Sequence, residues 1–254
     1  MVSTALPILH RDAHLLIVDK PAGMLSVPTA GLAGTDAVRA LRAQGIEVLP
    51  VHRLDRETSG ALLFALDAPT QAALEDLFRE RAISKFYWAL ASGRVRPATG
   101  AWTFPILERG ALARVHPSGK PCHTRYRTLA ALPNTSELEI ELLTGRYNQI
   151  RVHAAHVGHA LVGERKYARG KDSAVAFRSR RVALHAWRLA FEHPRSHARI
   201  EIEAPLPADL VELRERARAS RDRLPGASAP PTSDLPLSKR VRPAPPQRRK
   251  SNEA

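Results

Sequence analysis

The densest group of ionisable side chains lies in residues 51–60, whose sequence is VHRLDRETSG. One imidazole, two guanidiniums and two carboxylates fall within six positions, just before an apolar run at residues 61–66. Charged groups beside a core element are costly unless they are paired or used. We take Asp55 as the candidate chemical centre, because an ionised carboxylate can act as nucleophile, base or electrostatic anchor. A salt bridge to Arg53, or a cap on the turn, is the alternative role for Asp55.

A second cluster, SKFYW at residues 84–88, interleaves basic and aromatic side chains on a predicted strand. Such a pattern suits a platform on which nucleic-acid bases stack, with Tyr87 as the ring and Lys85 as a cation. Packing in the core is the alternative reason for a tyrosine at this position.

The third cluster is TGRYNQIRVH at residues 144–153, where Arg146 and Arg151 lie on either side of a predicted helix start. Backbone N–H groups at the start of a helix already favour an anion. Arg151 could therefore meet Asp55 or a phosphate. A solvated basic helix start is the alternative.

The net charge of +14 and a pI of about 10.9 favour a polyanionic partner, nucleic acid before membrane. Eight basic and three acidic residues beyond position 219 give that end +5, which leaves +9 on the rest. The single cysteine, Cys122, excludes an internal disulfide and fits a reducing cytoplasm. No apolar run approaches the ~20 residues of a membrane helix, and residues 1–12 lack a signal-peptide pattern.

Hydrophobic periodicity predicts more strands than helices. Predicted strands lie near residues 15–18, 61–66, 84–91, 123–129, 137–142, 182–191 and 197–203. Predicted helices lie near residues 35–43, 70–81, 148–157 and 207–218. This order predicts an α+β fold with a large mixed sheet. We divide the chain into one domain, 1–218, and a basic tail, 219–254, whose seven prolines and scarce large apolar residues predict disorder.

His153, His156 and His159 recur every three residues, and two of them could share a helical face. A zinc site would need a fourth ligand, and no cysteine or carboxylate pattern accompanies the histidines, so we predict no metal site. The chain also lacks the glycine patterns that bind nucleotide phosphates or dinucleotides, so we expect no nucleotide cofactor.

Taken in order, the three clusters resemble motifs of the RluA-type family of RNA pseudouridine synthases. The matching residues are HRLD at 52–55 with TSG at 58–60, Lys85 with Tyr87, and TGRxxQIRxH at 144–153. Residues 18–28, 120–126, 159–167 and 184–186 also match, so the resemblance runs from about residue 8 to about residue 206. It implies the family's catalytic fold, in which a large, mostly antiparallel sheet with flanking helices carries a central RNA-binding cleft.

The resemblance implies a role for each residue. Asp55 matches the aspartate that isomerisation requires, and Tyr87 matches the ring that stacks on the target base and assists proton removal at C5. Arg151 matches the arginine that pairs with the catalytic carboxylate and keeps it ionised. Arg53 matches the side chain that replaces the extruded uridine in the RNA stack. We expect further RNA contacts from Arg56, Lys85 and Arg146, and structural support from His52, Gln149 and His153.

Three positions depart from the family's usual pattern. Asn148 stands where a histidine is usual, Glu164 where an aspartate is usual, and Cys122 where a small alanine is common. We expect altered local contacts at Asn148, and effects on substrate contacts more than on catalysis at the other two. The match begins by residue 8, so we expect no N-terminal RNA-binding domain of the S4 type, which favours a compact tRNA or small hairpin as target.

The sequence thus predicts a monomeric cytoplasmic enzyme that flips and isomerises specific uridines in structured RNA, either tRNA or rRNA, without metal or redox cofactor. One alternative is a non-catalytic RNA-binding or assembly protein that retains the fold. Binding alone would not need Asp55, Tyr87 and Arg151 together, which argues against it. The other is a glycosidase or other aspartate-dependent hydrolase, which predicts a free base or sugar product and no dependence on polymeric RNA.

Overall fold

A ten-stranded sheet forms the body of the protein in the computed structural model, which describes residues 5–31, 34–110, 112–168 and 179–219. The strands are β1 (Ile8–Arg11), β2 (Leu15–Lys20), β3 (Leu49–Pro50), β4 (Ser59–Ala65), β5 (Ser84–Ser92), β6 (Thr99–Trp102), β7 (Ile106–Arg109), β8 (Leu112–Val115), β9 (Thr124–Ala131), β10 (Thr135–Leu142), β11 (Leu184–Glu192) and β12 (Arg199–Glu203). The helices are α1 (Ala37–Arg42), α2 (Ala68–Glu80), α3 (Gln149–His156) and α4 (Ala208–Ala219).

The sheet is mixed but mostly antiparallel, which confirms the predicted α+β class. Its order is β1-β2-β4-β11-β5-β10-β9-β6, with β3 added to β4 and β12 added to β11. Strands β4 and β11 pair in parallel, whereas the other strand pairs of the described chain are antiparallel. Strands β7 and β8 form a separate hairpin.

Strand β4 lies at the centre of this arrangement and follows the Asp55 loop directly. All seven of its residues are buried, as its nearly continuous apolar sequence predicts. Gly60, the second residue of the strand, has a φ of +113°, and a Cβ atom there would lie 2.2 Å from the carbonyl oxygen of Ala186. The parallel pairing of β4 with β11 therefore requires glycine at the point where the Asp55 loop enters the sheet.

The four helices cover the two faces of the sheet. Helices α1 and α3 pack with Leu62 and Phe64 of β4 and with Tyr87 of β5 in one core cluster. Helix α2 packs against the alternate residues of β4, including Leu63, and helix α4 packs against Trp88 of β5. Because successive side chains of a strand point to opposite faces, Tyr87 points to the face that carries α3.

The predicted disordered tail, 219–254, lies almost wholly outside the described residues. Only Ala219 is described, and it is the last residue of α4. In the described ranges, no helix is long and apolar enough to cross a membrane.

Candidate active site

The three predicted clusters meet at one cavity of about 590 Å³. The Asp55 loop forms one wall, strand β5 another, and the segment that leads into α3 a third. Six of the predicted site residues line the cavity: Arg53, Asp55, Tyr87, Arg146, Gln149 and Arg151. They come from segments more than thirty positions apart in the sequence, so the sheet has to bring them together.

The Asp55 loop is fixed on both sides by neighbouring backbone. Ser26 Oγ donates to the carbonyl oxygen of Leu54 and accepts from its N–H, both at 2.9 Å and both buried. The N–H of Gly23 donates to the carbonyl oxygen of Arg56 at 2.7 Å. The loop is therefore held against the segment that follows β2, and the backbone around Asp55 is preorganised.

His52 anchors the other end of the loop to the sheet. Its Nε2 accepts from the N–H of Leu63 at 2.9 Å, and its ring lies 4.8 Å from the ring of Phe78. Burial, and then the charge of Lys85, lower the pKa of His52 to about 3, so that the imidazole is neutral at physiological pH. A neutral imidazole is needed here, because Nε2 acts as an acceptor.

Lys20 is a fully buried cation beneath the same loop. Its Nζ donates to the carbonyl oxygens of Met24 at 2.9 Å and Pro21 at 3.0 Å. Burial lowers the pKa of Lys20 to about 7, and the charge of Asp55 opposes that fall. Lys20 thus holds the turn that follows β2, and its protonated form adds positive charge near Asp55.

The side chain of Asp55 is partly buried and takes a hydrogen bond from Asn148. In the amide orientation that satisfies both neighbours, Nδ2 of Asn148 lies 2.7 Å from Oδ2 and 3.2 Å from Oδ1 of Asp55. The amide oxygen then accepts from the hydroxyl of Tyr167 at 2.7 Å. Asn148 has a left-handed backbone, φ +53°, which asparagine adopts more readily than most residues. The altered contact expected at this position is thus a direct one to Asp55.

The resemblance led us to expect that Arg151 pairs with the carboxylate of Asp55; in the described residues the direct ion pairs of Arg151 are with Glu164 and Glu57, and its charge acts on Asp55 from a longer distance. Arg151 Nε and Nη2 donate to the two carboxylate oxygens of Glu164 at 2.7 and 2.9 Å, and a second ion pair of 3.1 Å joins Arg151 to Glu57. Glu164, whose side chain is fully buried, therefore holds the arginine in place, and its expected effect on substrate contacts stays a prediction. Arg151 is thus held by two direct acidic partners, and its charge still favours the ionised form of Asp55.

Burial and the neighbouring charges act in opposite directions on the pKa of Asp55. Burial raises the pKa of Asp55, although the nearby charges of Arg151 and Arg53 partly offset it. The pKa of Glu164, by contrast, is lowered, since the hydrogen bonds and charge of Arg151 outweigh its burial. The pKa values of these two carboxylates, both near Arg151, are thus shifted in opposite directions. Asp55 is therefore the more easily protonated of the two.

Tyr87 forms part of the cavity wall from the middle of β5, where it is 8% exposed. Its neighbours across the sheet are Ile140 of β10 and Ala186 of β11, so its ring is fixed by backbone pairing on both sides. Burial, followed by the charge of Asp55, raises the pKa of Tyr87. The phenol is therefore neutral at physiological pH, and its ring can offer a flat apolar surface to a base.

Gln149 organises the segment that leads into α3. Its amide oxygen accepts from the N–H of Arg146 at 3.0 Å and from the hydroxyl of Thr144 at 2.9 Å, while its Nε2 donates to the hydroxyl of Thr124 at 2.9 Å. One turn later, His153 Nε2 lies 2.8 Å from the carbonyl oxygen of Phe104. These contacts hold the turn that places Arg146 at the cavity.

The remaining predicted residues lie beside the cavity. Arg56 faces a neighbouring groove and donates to the carbonyl oxygen of Gly23 at 2.9 Å. Lys85 lies on the opposite side, in a groove that Arg53 and Arg146 also border. Cys122 is buried and lies 3.3 Å from the carbonyl oxygen of Lys120, away from the cavity lining, and its expected effect on substrate contacts stays a prediction.

Sequence reasoning assigned no positioning role to four residues of this site. Asn148 contacts Asp55, Glu57 and Glu164 hold Arg151, and Lys20 supports the loop. The signal for Lys20 was a charge at the end of an apolar strand, directly before Pro21. For Asn148 and Glu164 the signal was their departure from the usual motif, although nothing in the sequence names their partners.

Comparisons with known proteins agree with the geometry. Residues 14–156 match the family model described as RNA pseudouridylate synthase. The chain is 37% identical over 217 residues to ribosomal large subunit pseudouridine synthase C of Vibrio cholerae, covering 83% of this chain and 69% of the relative. It is 35% identical over 206 residues to the dual-specificity RNA pseudouridine synthase RluA of Pasteurella multocida, covering 79% and 93%.

Solved structures support the fold. The chain resembles human RNA pseudouridylate synthase domain containing 4 with a TM-score of 0.68 and 23% identity, over 84% of this chain and 93% of that one. At this identity the likeness concerns the fold alone, and the assignment to a family depends on the sequence matches. The chain belongs to the RluA-type family of RNA pseudouridine synthases, and it is an isomerase.

Proposed function

We propose that this enzyme isomerises specific uridines to pseudouridine in ribosomal RNA, with Asp55 as the essential catalytic carboxylate and the target base flipped into the cavity. The observation that carries the proposal is the meeting of Asp55, Tyr87 and Arg151 at one cavity, from three distant parts of the sequence. The reaction breaks the bond between C1′ and N1, forms a bond between C1′ and C5, and moves a proton from C5 to N1. No atom is gained or lost.

Asp55 acts on the sugar of the bound uridine, either by attack at C1′ or by removal of the 2′ proton. Both routes need the ionised carboxylate. The amide of Asn148 donates to that carboxylate, and the positive charges of Arg151, Arg53 and Lys20 favour its ionised form against the effect of burial. The site therefore keeps a partly desolvated, reactive carboxylate available near neutral pH.

Tyr87 holds the detached base while it rotates. Its ring lies in the cavity wall, and its neutral phenol suits stacking better than acceptance of a proton. The proton that leaves C5 therefore needs an acceptor other than the free phenolate of Tyr87.

Arg53 replaces the flipped uridine in the RNA stack. Its side chain is exposed, and it borders the catalytic cavity and both neighbouring grooves. A uridine must leave its stack to expose the sugar bond, and the vacated space favours a flat cation that can stack on the adjacent bases. Arg53 lies two positions from Asp55, so that entry of the arginine and delivery of the uridine are coupled.

Ribosomal RNA is the proposed target class. The relatives from Vibrio cholerae and Haemophilus ducreyi are named as ribosomal large subunit pseudouridine synthases, and both are 37% identical to this chain. These names outweigh the earlier preference for tRNA or a small hairpin, which depended only on the absence of an S4-type match at the start of the chain. The relative from Pasteurella multocida is named a dual-specificity RNA pseudouridine synthase. The test below therefore includes a second class of RNA among its outcomes.

Pseudouridine mapping tests the proposal. Total RNA from a strain that lacks the gene, and from the same strain complemented with it, is treated with carbodiimide and read by primer extension. We expect one or a few stops in ribosomal RNA that vanish on deletion and return on complementation.

Other outcomes separate the alternatives. Stops confined to tRNA would replace the proposed target class and leave the activity standing. No change in any RNA, together with RNA binding by the purified protein, would support a non-catalytic binding protein. Release of free uracil would indicate a hydrolase.

A further inference from the structure

A second groove of about 490 Å³ lies beside the catalytic cavity, between the end of α2 and the start of β5. We call it the α2 groove. Its lining includes five basic side chains, those of Arg53, Arg79, Arg81, Lys85 and Arg146, together with the ring of Phe78. Arg53, Tyr87 and Arg146 also line the catalytic cavity, so the groove continues directly from the site of the flipped base.

Positive charge in the α2 groove is not balanced by the protein. No aspartate or glutamate is among its lining residues, all of which lie in the described ranges. Of its five basic side chains, only Arg79 has a carboxylate ion-pair partner in the described part of the chain, the neighbouring Asp76. Four cations that share a groove without an acidic partner repel one another, and an anionic ligand would remove that cost.

Two of these cations are also partly withdrawn from water. Burial, and then the charge of Arg81, lower the pKa of Lys85. The Nε of Arg146 is buried, and no hydrogen-bond partner for it occurs in the described residues. Buried donors in proteins are nearly always satisfied, and an acceptor brought by a ligand would satisfy this one.

The local backbone also favours a role in binding. Arg81 ends α2 in the left-handed conformation, with a φ of +62°, a position where glycine is the usual residue. This conformation is strained for any residue that carries a Cβ. A basic side chain thus lines the groove from a strained backbone position, where glycine would be less costly to the helix end.

We propose that the α2 groove binds a phosphodiester group of the RNA strand next to the flipped uridine, through Arg81, Lys85 and Arg146. The inference rests on the proposed function and adds a second contact site to it. Phosphate oxygens supply the acceptors and the negative charge that these donors lack. Phe78, whose ring lies 5.5 Å from Nζ of Lys85, closes the apolar side of the groove.

The test compares three single variants of the full-length protein: Arg81→Gln, Arg81→Lys and Arg79→Gln. Glutamine and lysine carry a Cβ, as arginine does, and so keep the same backbone cost at position 81. Arg79→Gln removes an equal charge from the same groove, but at a residue already paired with Asp76. Binding of a short fluorescein-labelled oligouridylate is measured by anisotropy between about 50 and about 200 mM KCl.

We expect Arg81→Gln to weaken binding at least about fivefold at low salt and to reduce the slope of log K against log salt by about 0.7, as for one lost single-strand phosphate contact. Arg81→Lys should keep most of the slope, and Arg79→Gln should stay within about twofold of the wild type. Unchanged affinity and slope in Arg81→Gln would overturn the inference, as would an equal loss in Arg79→Gln.

Two further readouts keep this inference separate from the proposed function. A labelled polyglutamate that bound with the same dependence on Arg81 would show a general acidic-peptide site and overturn phosphate recognition. If the wild type forms pseudouridine while Arg81→Gln binds oligouridylate normally, only the phosphate site fails. If the wild type forms no pseudouridine in any RNA, the proposed function fails regardless of the groove.

Discussion

Replacing Asn148 with glycine should slow isomerisation by roughly 10- to 150-fold. The change removes the amide that lies 2.7 Å from Oδ2 of Asp55. A hydrogen bond to a charged group is worth about 1.5–3 kcal/mol, and each ~1.4 kcal/mol corresponds to a factor of ten in rate. Glycine is the informative replacement because the backbone of Asn148 is left-handed, and alanine would add strain to the loss of the amide.

The loss should depend on pH in a predictable direction. The amide favours the ionised form of Asp55, whose pKa is already raised by burial. Without the amide the pKa of Asp55 rises further, so that the acidic limb of the rate profile moves to higher pH. The deficit of Asn148→Gly should therefore be largest at acidic pH and should shrink as the pH increases. Tyr167→Phe, which leaves the amide in place but frees its orientation, should show a smaller loss of the same form.

Single-turnover release of tritium from RNA that carries tritium at C5 of uridine measures the rate, because isomerisation removes that hydrogen. Asn134→Gly serves as the matched control, since Asn134 is an exposed asparagine in the turn between β9 and β10. Thermal unfolding establishes that each variant is folded. A rate within twofold of the wild type across the pH range would refute the role of Asn148. A loss that does not vary with pH would show that the amide does not act through the ionisation of Asp55.

Three further predictions concern Glu164, Lys20 and Arg53. Glu164→Gln leaves Arg151 with Glu57 alone and should lower the free energy of unfolding by about 3 kcal/mol at neutral pH, whereas the exposed Glu212→Gln should change it by less than about 0.5 kcal/mol. Because the pKa of Glu164 is lowered by folding, that deficit should diminish as the pH falls, and urea unfolding from neutral to acidic pH measures it. Folding lowers the pKa of Lys20 to about 7, whereas its value in the unfolded chain is about 10.4. Between these two pH values the unfolded chain binds one more proton than the folded protein. The free energy of unfolding therefore rises with pH in this range, by at most ~1.4 kcal/mol per pH unit. Lys20→Met should remove this rise, whereas the same change at the exposed Lys120 should preserve it; parallel curves for wild type and Lys20→Met in urea would contradict the assignment. Arg53→Ala should impair turnover of uridines in stems more than in unpaired RNA, and equal losses on both substrates would argue against a role in filling the stack.

The order of the elements could be predicted because the local signals are strong. Strand β4 is a continuous apolar run, and α2 combines an apolar stripe with Asp67, whose carboxylate accepts from the N–H of Thr70 at 2.7 Å at its start. The predicted bounds of these elements agree with the structure to within about two residues. The parallel pairing of β4 with β11 could not be predicted from local sequence. The 118 residues that lie between Ala65 and Leu184 separate the two strands in the chain.

Within the site, residue types could be predicted better than partners. The motifs indicated that Asp55, Tyr87 and Arg151 belong together, and the sheet places them at one cavity. The partner of Arg151 could not be read from the sequence, because Asp55, Glu57 and Glu164 are all carboxylates and only the packing decides which of them it reaches. The glutamate at position 164 has one more methylene than the usual aspartate, and in this chain it makes the two-point contact with Arg151.

The central claim is that the carboxylate of Asp55 carries out isomerisation and is not needed for binding. The most direct measurement is the rate of pseudouridine formation by Asp55→Asn on the RNA identified by mapping, together with its affinity for that RNA. Asparagine keeps the size and the hydrogen-bonding capacity but removes the charge, so we predict nearly wild-type affinity and no detectable pseudouridine. Pseudouridine formation at the wild-type rate by Asp55→Asn would contradict the account.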